Sequence, residues 1–273
     1  MRNRAEASCR IGALALGLGF LYAPIMLLVL YSFNASRLVT VWAGFSTRWY
    51  GELVNNESFR AAAVTSIEVA VMAASLSLIL GTLAGFSLSR FGRFPGRILF
   101  GFALLAPLVV PEIILGLSLL LLFVASESWL GWPNRGILTI TFAHATFGTC
   151  FVSVLVRAQL ASFDRSVEEA ALDLGARPST VLTRIILPGI RPALLSGWLL
   201  AFTLSLDDLV IASFVSGPSA TTLPMAVFSS VRLGVSPEVN ALATVFLGVV
   251  LVLVALACWL MARDERRQSA MSR

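Results

Sequence analysis

In a chain of 273 residues, 58% are hydrophobic and 13% charged, with a mean hydropathy of +0.87; a soluble domain is about 45–50% apolar and 25% charged, so this reads as a membrane protein. The formal charge of +5 rests on twenty arginines with no lysine, and no basic run is interleaved with aromatics, which argues against nucleic-acid binding. Three cysteines far apart, Cys9, Cys150 and Cys258, suit neither a disulfide framework nor a metal site and read as packing residues.

A helix needs about 20 residues to cross a hydrocarbon core of roughly 30 Å. Apolar segments of that length fall at 11–33, 63–88, 98–124, 136–156, 193–216 and 240–262. The expectation is an all-α polytopic membrane protein with six transmembrane helices. The first span follows Arg2, Arg4 and Arg10, but at 23 residues it is too long for a cleavable signal and "LYSFNAS" holds no A-x-A-like site, so it is expected to stay as an anchor. Three parts follow: 1–60, a helix with its outer segment; 61–262, a core of five helices; and 263–273, a tail.

If both termini lie in the cytoplasm, fifteen arginines fall inside and five, Arg37, Arg48, Arg60, Arg135 and Arg232, fall outside, as the positive-inside rule requires. Trp42, Trp49 and Tyr50 after the first span, and Trp129 and Trp132 after the third, supply outer-face rings suited to the headgroup layer.

Ionisable residues recur at membrane depth. Glu68 lies near the outer end of the second span. In the third, Glu112 follows Pro107 and Pro111, and two prolines free backbone carbonyls, an irregularity tolerated where the chain is buried in protein or lines a cavity. For the lone His144 of the fourth span a satisfied structural hydrogen bond is expected.

Between the fourth and fifth spans, 157–192 is the one long inner segment. Within it 162–188, "SFDRSVEEAALDLGARPSTVLTRIILP", reads as helix, turn, helix. Ser166 with Glu169 fits a capping box, Asp164, Glu168 and Glu169 favour a helix N-terminus, and Gly175 with Pro178 signals a stop. Val167, Ala170, Ala171 and Leu174 form a narrow apolar stripe. Pro178 suits the start of the second helix and Pro188 is expected to break the chain before the fifth span. Pattern alone favours an ordinary amphipathic hairpin lying on the membrane surface.

The fifth span carries Asp207 and Asp208. An acid at a helix centre costs about 2.5–3.5 kcal/mol and each Leu, Ile, Phe or Val returns about 0.3–0.6, so two acids roughly cancel the apolar residues of the span. Such a helix needs neighbours or a wet cavity, unless it ends near Leu206 and the acids sit among headgroups. Asp208 shares a face with Ala201, Ser205 and Ala212; Asp207 shares one with Leu200, Thr203, Ile211 and Phe214. The smaller, more polar face makes Asp208 the first candidate for lining a pathway, then Asp207 and Glu112, with Ser205 and Trp198 beside them. Acids with few basic residues at that depth attract cations, and aromatic rings add about 0.5–2 kcal/mol of cation–π attraction.

Glu169-Ala170-Ala171, three residues, Gly175, nine residues, then Ile185-x-Leu187-Pro188 resembles the EAA loop of inner-membrane permease subunits of bacterial ABC importers. That resemblance implies the type I permease fold and a coupling helix seated on a separate ATPase, with Glu169 as a polar contact, Ala170 and Ala171 allowing close approach, and Gly175 making the turn. It implies partners: two ATP-binding subunits, a sister permease in a heterodimer, and a periplasmic receptor docking on outer loops that include 34–60 and 217–239. A chain without lysine has no P-loop, so no nucleotide site of its own is expected, and no cofactor. "VTVWAGFSTRWYGEL", "APLVVPEIILGLSLLLLF", "WLLAFTLSLDDLVIASFVSGP" and "SSVRLGVSPEVNALAT" resemble the polyamine branch of these permeases, the putrescine importers in particular, in the bacterial inner membrane. An ion-coupled secondary transporter of organic cations is the alternative that the intramembrane acids leave open, although the halves share no convincing repeat. H-E-x-x-H and G-x-S-x-G are both missing, which argues against an intramembrane enzyme.

Overall fold

The computed structural model describes residues 2–38, 41–233, 237–249 and 251–252, and these are mostly helical. They fall into two compact units, 1–60 with 227–273, and 61–226.

The first unit holds α1 (Arg2–Ser32), α2 (Arg48–Asn55), all but the first turn of α12 (Leu223–Leu233), and α13 (Pro237–Val249). The connection after α1 closes on itself: the Asn34 amide donates to the Val41 carbonyl (2.7 Å) and its oxygen accepts from the Ala43 N–H (2.9 Å). The Trp49 indole donates to the Asn34 carbonyl at 2.6 Å and is only 2% exposed. Trp49 is therefore a packing residue of this connection, not a headgroup anchor, whereas Trp42, Trp129 and Trp132 are 47%, 90% and 53% exposed. The expected sixth span, 240–262, is described only as far as 252; its remainder and the tail 263–273 lie outside the described residues.

The second unit is built on α3 (Glu57–Arg90), whose first turn belongs to the first unit, and α6 (Ile137–Ser162). Small residues bring these helices and α10 (Arg191–Asp207) together. A Cβ on Gly81 would stand 2.6 Å from Val152 Cβ, and one on Gly148 2.4 Å from Ser77 Oγ and 3.3 Å from Ala201 Cβ. Val152, Val156, Leu160, Ile186 and Ile190 fill one apolar cluster below this contact; Val69, Ile140, Ile211 and Val215 fill a second. Cys150, 2% exposed, is packed as expected.

Two expected spans are not continuous. The third divides into α4 (Arg97–Leu105), a 3-10 turn at Ala106–Leu108, and α5 (Glu112–Leu130). Pro111 stands in the gap at φ −55°, ψ 136°, extended backbone that removes one N–H and turns the chain out of the helix. The fifth divides at Asp208–Leu209, where α10 gives way to α11 (Val210–Val215). Four described helices are long and apolar enough to cross a membrane, five if the run Pro178–Gly189 joined to α10 through a 68° bend is counted as one.

Candidate translocation and coupling site

At the break in the fifth span Asp208 adopts φ −69°, ψ 127°. Its carboxylate accepts the N–H groups of Ile211 (3.3 Å) and Ala212 (2.8 Å), donors that a helix start leaves without backbone partners. His144 reaches across from α6: Nδ1 lies 2.7 Å from Ser205 Oγ and Nε2 3.0 Å from Asp208 Oδ2. The side chains of His144 and Asp208 are 2% and 10% exposed. The structural histidine expected from sequence is thus satisfied at both nitrogens. Ala201, Ser205 and Ala212, the face expected to line a pathway with Asp208, are 3%, 7% and 0% exposed. That face is packed against the rest of the unit, because small side chains permit the close approach.

Asp207 turns the other way and is exposed. It ends an open stripe of α10 with Thr203, Leu199 (57% exposed) and Leu195 (68%). Glu112, also exposed, is the first residue of α5. One turn further on, a Cβ on Gly116 would meet Phe214 Cδ2 at 2.8 Å and Ile211 Cα at 3.4 Å, so the two broken spans meet one turn beyond their breaks and the breaks come at similar depth. Trp198 is not part of this group. Ten residues before Asp208, about 15 Å along a helix, it donates to Ser75 Oγ at 3.2 Å and stacks on Phe202 with centroids 5.3 Å apart. No cluster suited to a metal ion occurs among the described residues.

The 162–188 hairpin contains α7 (Arg165–Asp173) and a second helical run. Asp164, not Ser166, is the N-cap: its carboxylate accepts the Ser166 N–H at 2.9 Å. Donation from the Ser166 backbone and side chain holds the Asp164 carboxyl below its usual range. The expected capping box gives way to a single cap two residues upstream, since Asp is an equally good cap and adds charge at the helix's positive end. At the other end Gly175 (φ +85°) donates to the Leu172 carbonyl (2.9 Å) and Ala176 to that of Ala171 (3.0 Å). This is the paired closure that a glycine in the left-handed region allows, and it is the turn expected of Gly175.

Glu169 and Ala170 are exposed, Val167, Leu172 and Leu174 are 47%, 46% and 89% exposed, and Ala171 packs on the lower cluster. Ile185 and Leu187 pack there too. Pro188 does not interrupt the chain. The run proceeds from α8 (Pro178–Val181) through a π turn at Leu182–Ile186 into α9 (Leu187–Gly189). The bend comes at Ile190, φ −101°, ψ 10°; a wider turn before the proline accommodates its missing N–H. Sequence reasoning missed one inner contact of α7, the pairing of Glu168 with Arg90: both were read only for their charge.

Residues 77–269 match the family model described as binding-protein-dependent transport system inner membrane component. The chain belongs to that family. This permease chain is 60% identical over 260 residues to the putrescine transport system permease protein PotI of Escherichia coli K12, covering 95% of the chain and 92% of the relative. It is 44% identical over 248 residues to the spermidine/putrescine transport system permease protein PotC of the same organism, covering 91% of each. A chain of a bacterial ABC transporter involved in import of the acidic polysaccharide alginate superposes with a TM-score of 0.73 at 20% identity, covering 96% of this permease and 97% of that chain; at that identity the likeness speaks for the fold alone, an ABC-importer permease. The family assignment disposes of the secondary-transporter alternative.

Proposed function

We propose that this permease subunit carries putrescine, or a closely related polyamine, inward across the bacterial inner membrane by alternating access. Its companions on this reading are a sister permease, two ATPase subunits beneath the 162–188 hairpin and a periplasmic polyamine receptor, with both termini cytoplasmic. The observation that carries the reading is the pair of carboxylates at the break in the fifth span, in a chain 60% identical to a putrescine permease.

Each part of the break has a use. Asp208 is consumed in holding the chain: it satisfies α11 and is clamped by His144. Asp207, exposed beside it, is the carboxylate free to meet an ammonium group, and Glu112 offers a second at similar depth. Two carboxylates on different helices suit a diamine better than one tight site, since passage requires contacts that release easily. Thr203 on the same stripe supplies a hydroxyl. For coupling, Glu169 and Ala170 present an open, small-residue surface to the ATPase, Ala171, Ile185 and Leu187 pack the hairpin on the lower cluster, Gly175 makes its turn and Pro188 lies in the helical run before the bend.

The test is reconstitution of the tagged permease with everything that co-elutes with it. Uptake of labelled putrescine that needs ATP and the receptor supports the reading. An assembly that hydrolyses ATP in response to some other receptor and ligand, with no putrescine moved, overturns the substrate assignment.

A further inference from the structure

We infer that the ion pair between Arg90 and Glu168 is the link through which movement of α7 is passed to the second span, making both positioning residues for transport. The inference rests on the reading of 162–188 as the segment on which the ATPase acts.

Arg90 is the last residue of α3 and Glu168 lies in the first turn of α7, 78 positions away. Arg90 Nε donates to both carboxylate oxygens at 3.1 Å, and Nη2 donates to Oε1 at 2.6 Å and to the Leu160 carbonyl, at the end of α6, at 3.2 Å. The two side chains are only 10% and 13% exposed. Nearby, Arg165 Nη2 donates to the Ser89 carbonyl at 3.0 Å. A guanidinium fork on a carboxylate fixes direction as well as distance. Here a single arginine fastens three elements, α3, α6 and α7.

Beyond these bonds α7 rests on α8 and the π turn of its own hairpin. None of its residues is buried, and its apolar Val167 and Leu172, with Leu174 just beyond, face away from the unit. Ala171 is its main apolar contact with the lower cluster. Its direct side-chain bonds to the long helix α3 are those of Glu168 and Arg165, both on the end of that helix. From there a displacement of α7 is conducted well. α3 runs unbroken for 34 residues, on the order of 50 Å, and its Gly81 and Gly85 sit against Val152 and Val156 too tightly to slide past α6. Glu168 and Glu169, adjacent and so about 100° apart on the helix, divide the work: one turns inward to Arg90, the other outward.

The experiment uses the assembled importer in proteoliposomes and reads putrescine moved per ATP hydrolysed, alongside the amount of ATPase subunit that co-purifies. Glu168→Gln and Arg90→Gln are each expected to keep the ATPase bound and hydrolysing while transport per ATP falls by about tenfold, the scale set by losing a charge-assisted hydrogen bond. The exchanged pair R90E/E168R is expected to recover more than either reversal alone. An unchanged ratio in Glu168→Gln, loss of the ATPase from that variant, or an exchanged pair no better than the single reversals would each overturn the inference. Ala170→Arg, on the exposed face, tests the underlying reading separately. If that variant retains the ATPase with normal coupling, the docking assignment of the hairpin fails, whatever the ion pair does.

Discussion

Asp207 and Asp208 differ by one position and about 100° of helix, and the structure gives them unlike surroundings. Asp208 accepts two backbone N–H groups and contacts His144; Asp207 is exposed. Replacing each with Asn therefore separates two functions. Asp208→Asn keeps an acceptor for the Ala212 N–H but loses the charge, and is expected to lower stability by about 1.5–3 kcal/mol, the worth of hydrogen bonds to a charged group, seen as a lower midpoint in thermal unfolding of the purified complex. Asp207→Asn should leave that midpoint in place and cut diamine uptake; equal uptake by an assembled Asp207→Asn protein would remove it from the pathway. That Ser205 and Asp208 share a face was legible, being three positions apart. That His144 closes on both was not, because it lies 61 and 64 positions away and no local pattern reports a tertiary contact. The inward turn of Asp208 had a signal that went unused: Asp is a preferred helix cap, and an Asp-Asp pair within an apolar run marks a restart as readily as a charged face.

At the scale of elements, the hairpin depends on how its first helix starts and stops. Gly175 sits at φ +85°, and a Cβ added there would have nothing within 4 Å, so Gly175→Ala meets no clash and costs only the left-handed backbone, about 1–2 kcal/mol. The expected result is faster hydrogen exchange over 171–181 and weaker retention of the ATPase, with exchange in α3 and α6 unaltered. The start of α7 has a pH signature. Asp164 is held below its usual range, so its cap is complete above the ordinary Asp value of about 3.9 and is lost only as pH falls through the depressed one. Protection across α7 should accordingly be flat from neutrality down to the ordinary Asp value of about 3.9 and fall only below it. A fall beginning near pH 6 would contradict this assignment. Helix existence, the Gly175 turn and the irregularity around Pro107 and Pro111 could all be read from local chemistry. The π turn that carries the chain through Pro188 could not, since proline ordinarily predicts a stop, whereas here the run stays packed on the lower cluster through Ile186 and Ile190.

For the whole molecule, orientation rests on the arginines, fifteen against five if both termini are cytoplasmic, and on the exposed rings of Trp42, Trp129 and Trp132. The asymmetry is large enough to set topology, because the arginines lie close to span ends where the rule applies. Two exposed aromatics mark opposite ends of the third span's neighbourhood. Phe91, just after α3, is 64% exposed and flanked by Arg90 and Arg93; Trp129, at the end of α5, is 90% exposed. If the termini are cytoplasmic, Phe91→Cys faces the cytoplasm and Trp129→Cys the periplasm. In cells with a permeabilised outer membrane, a membrane-impermeant maleimide should label Trp129→Cys at once and Phe91→Cys only after the inner membrane is opened. Cys150, buried at 2% exposure, contributes little background, and replacing Cys9 and Cys258 removes the rest. The reverse order of labelling would invert the chain, placing the 162–188 hairpin in the periplasm, out of reach of any ATPase. Labelling of both from outside would instead show that the α4–α5 region enters and leaves by the same face, so that its break at Pro111 forms a re-entrant turn and the count of crossings falls by one.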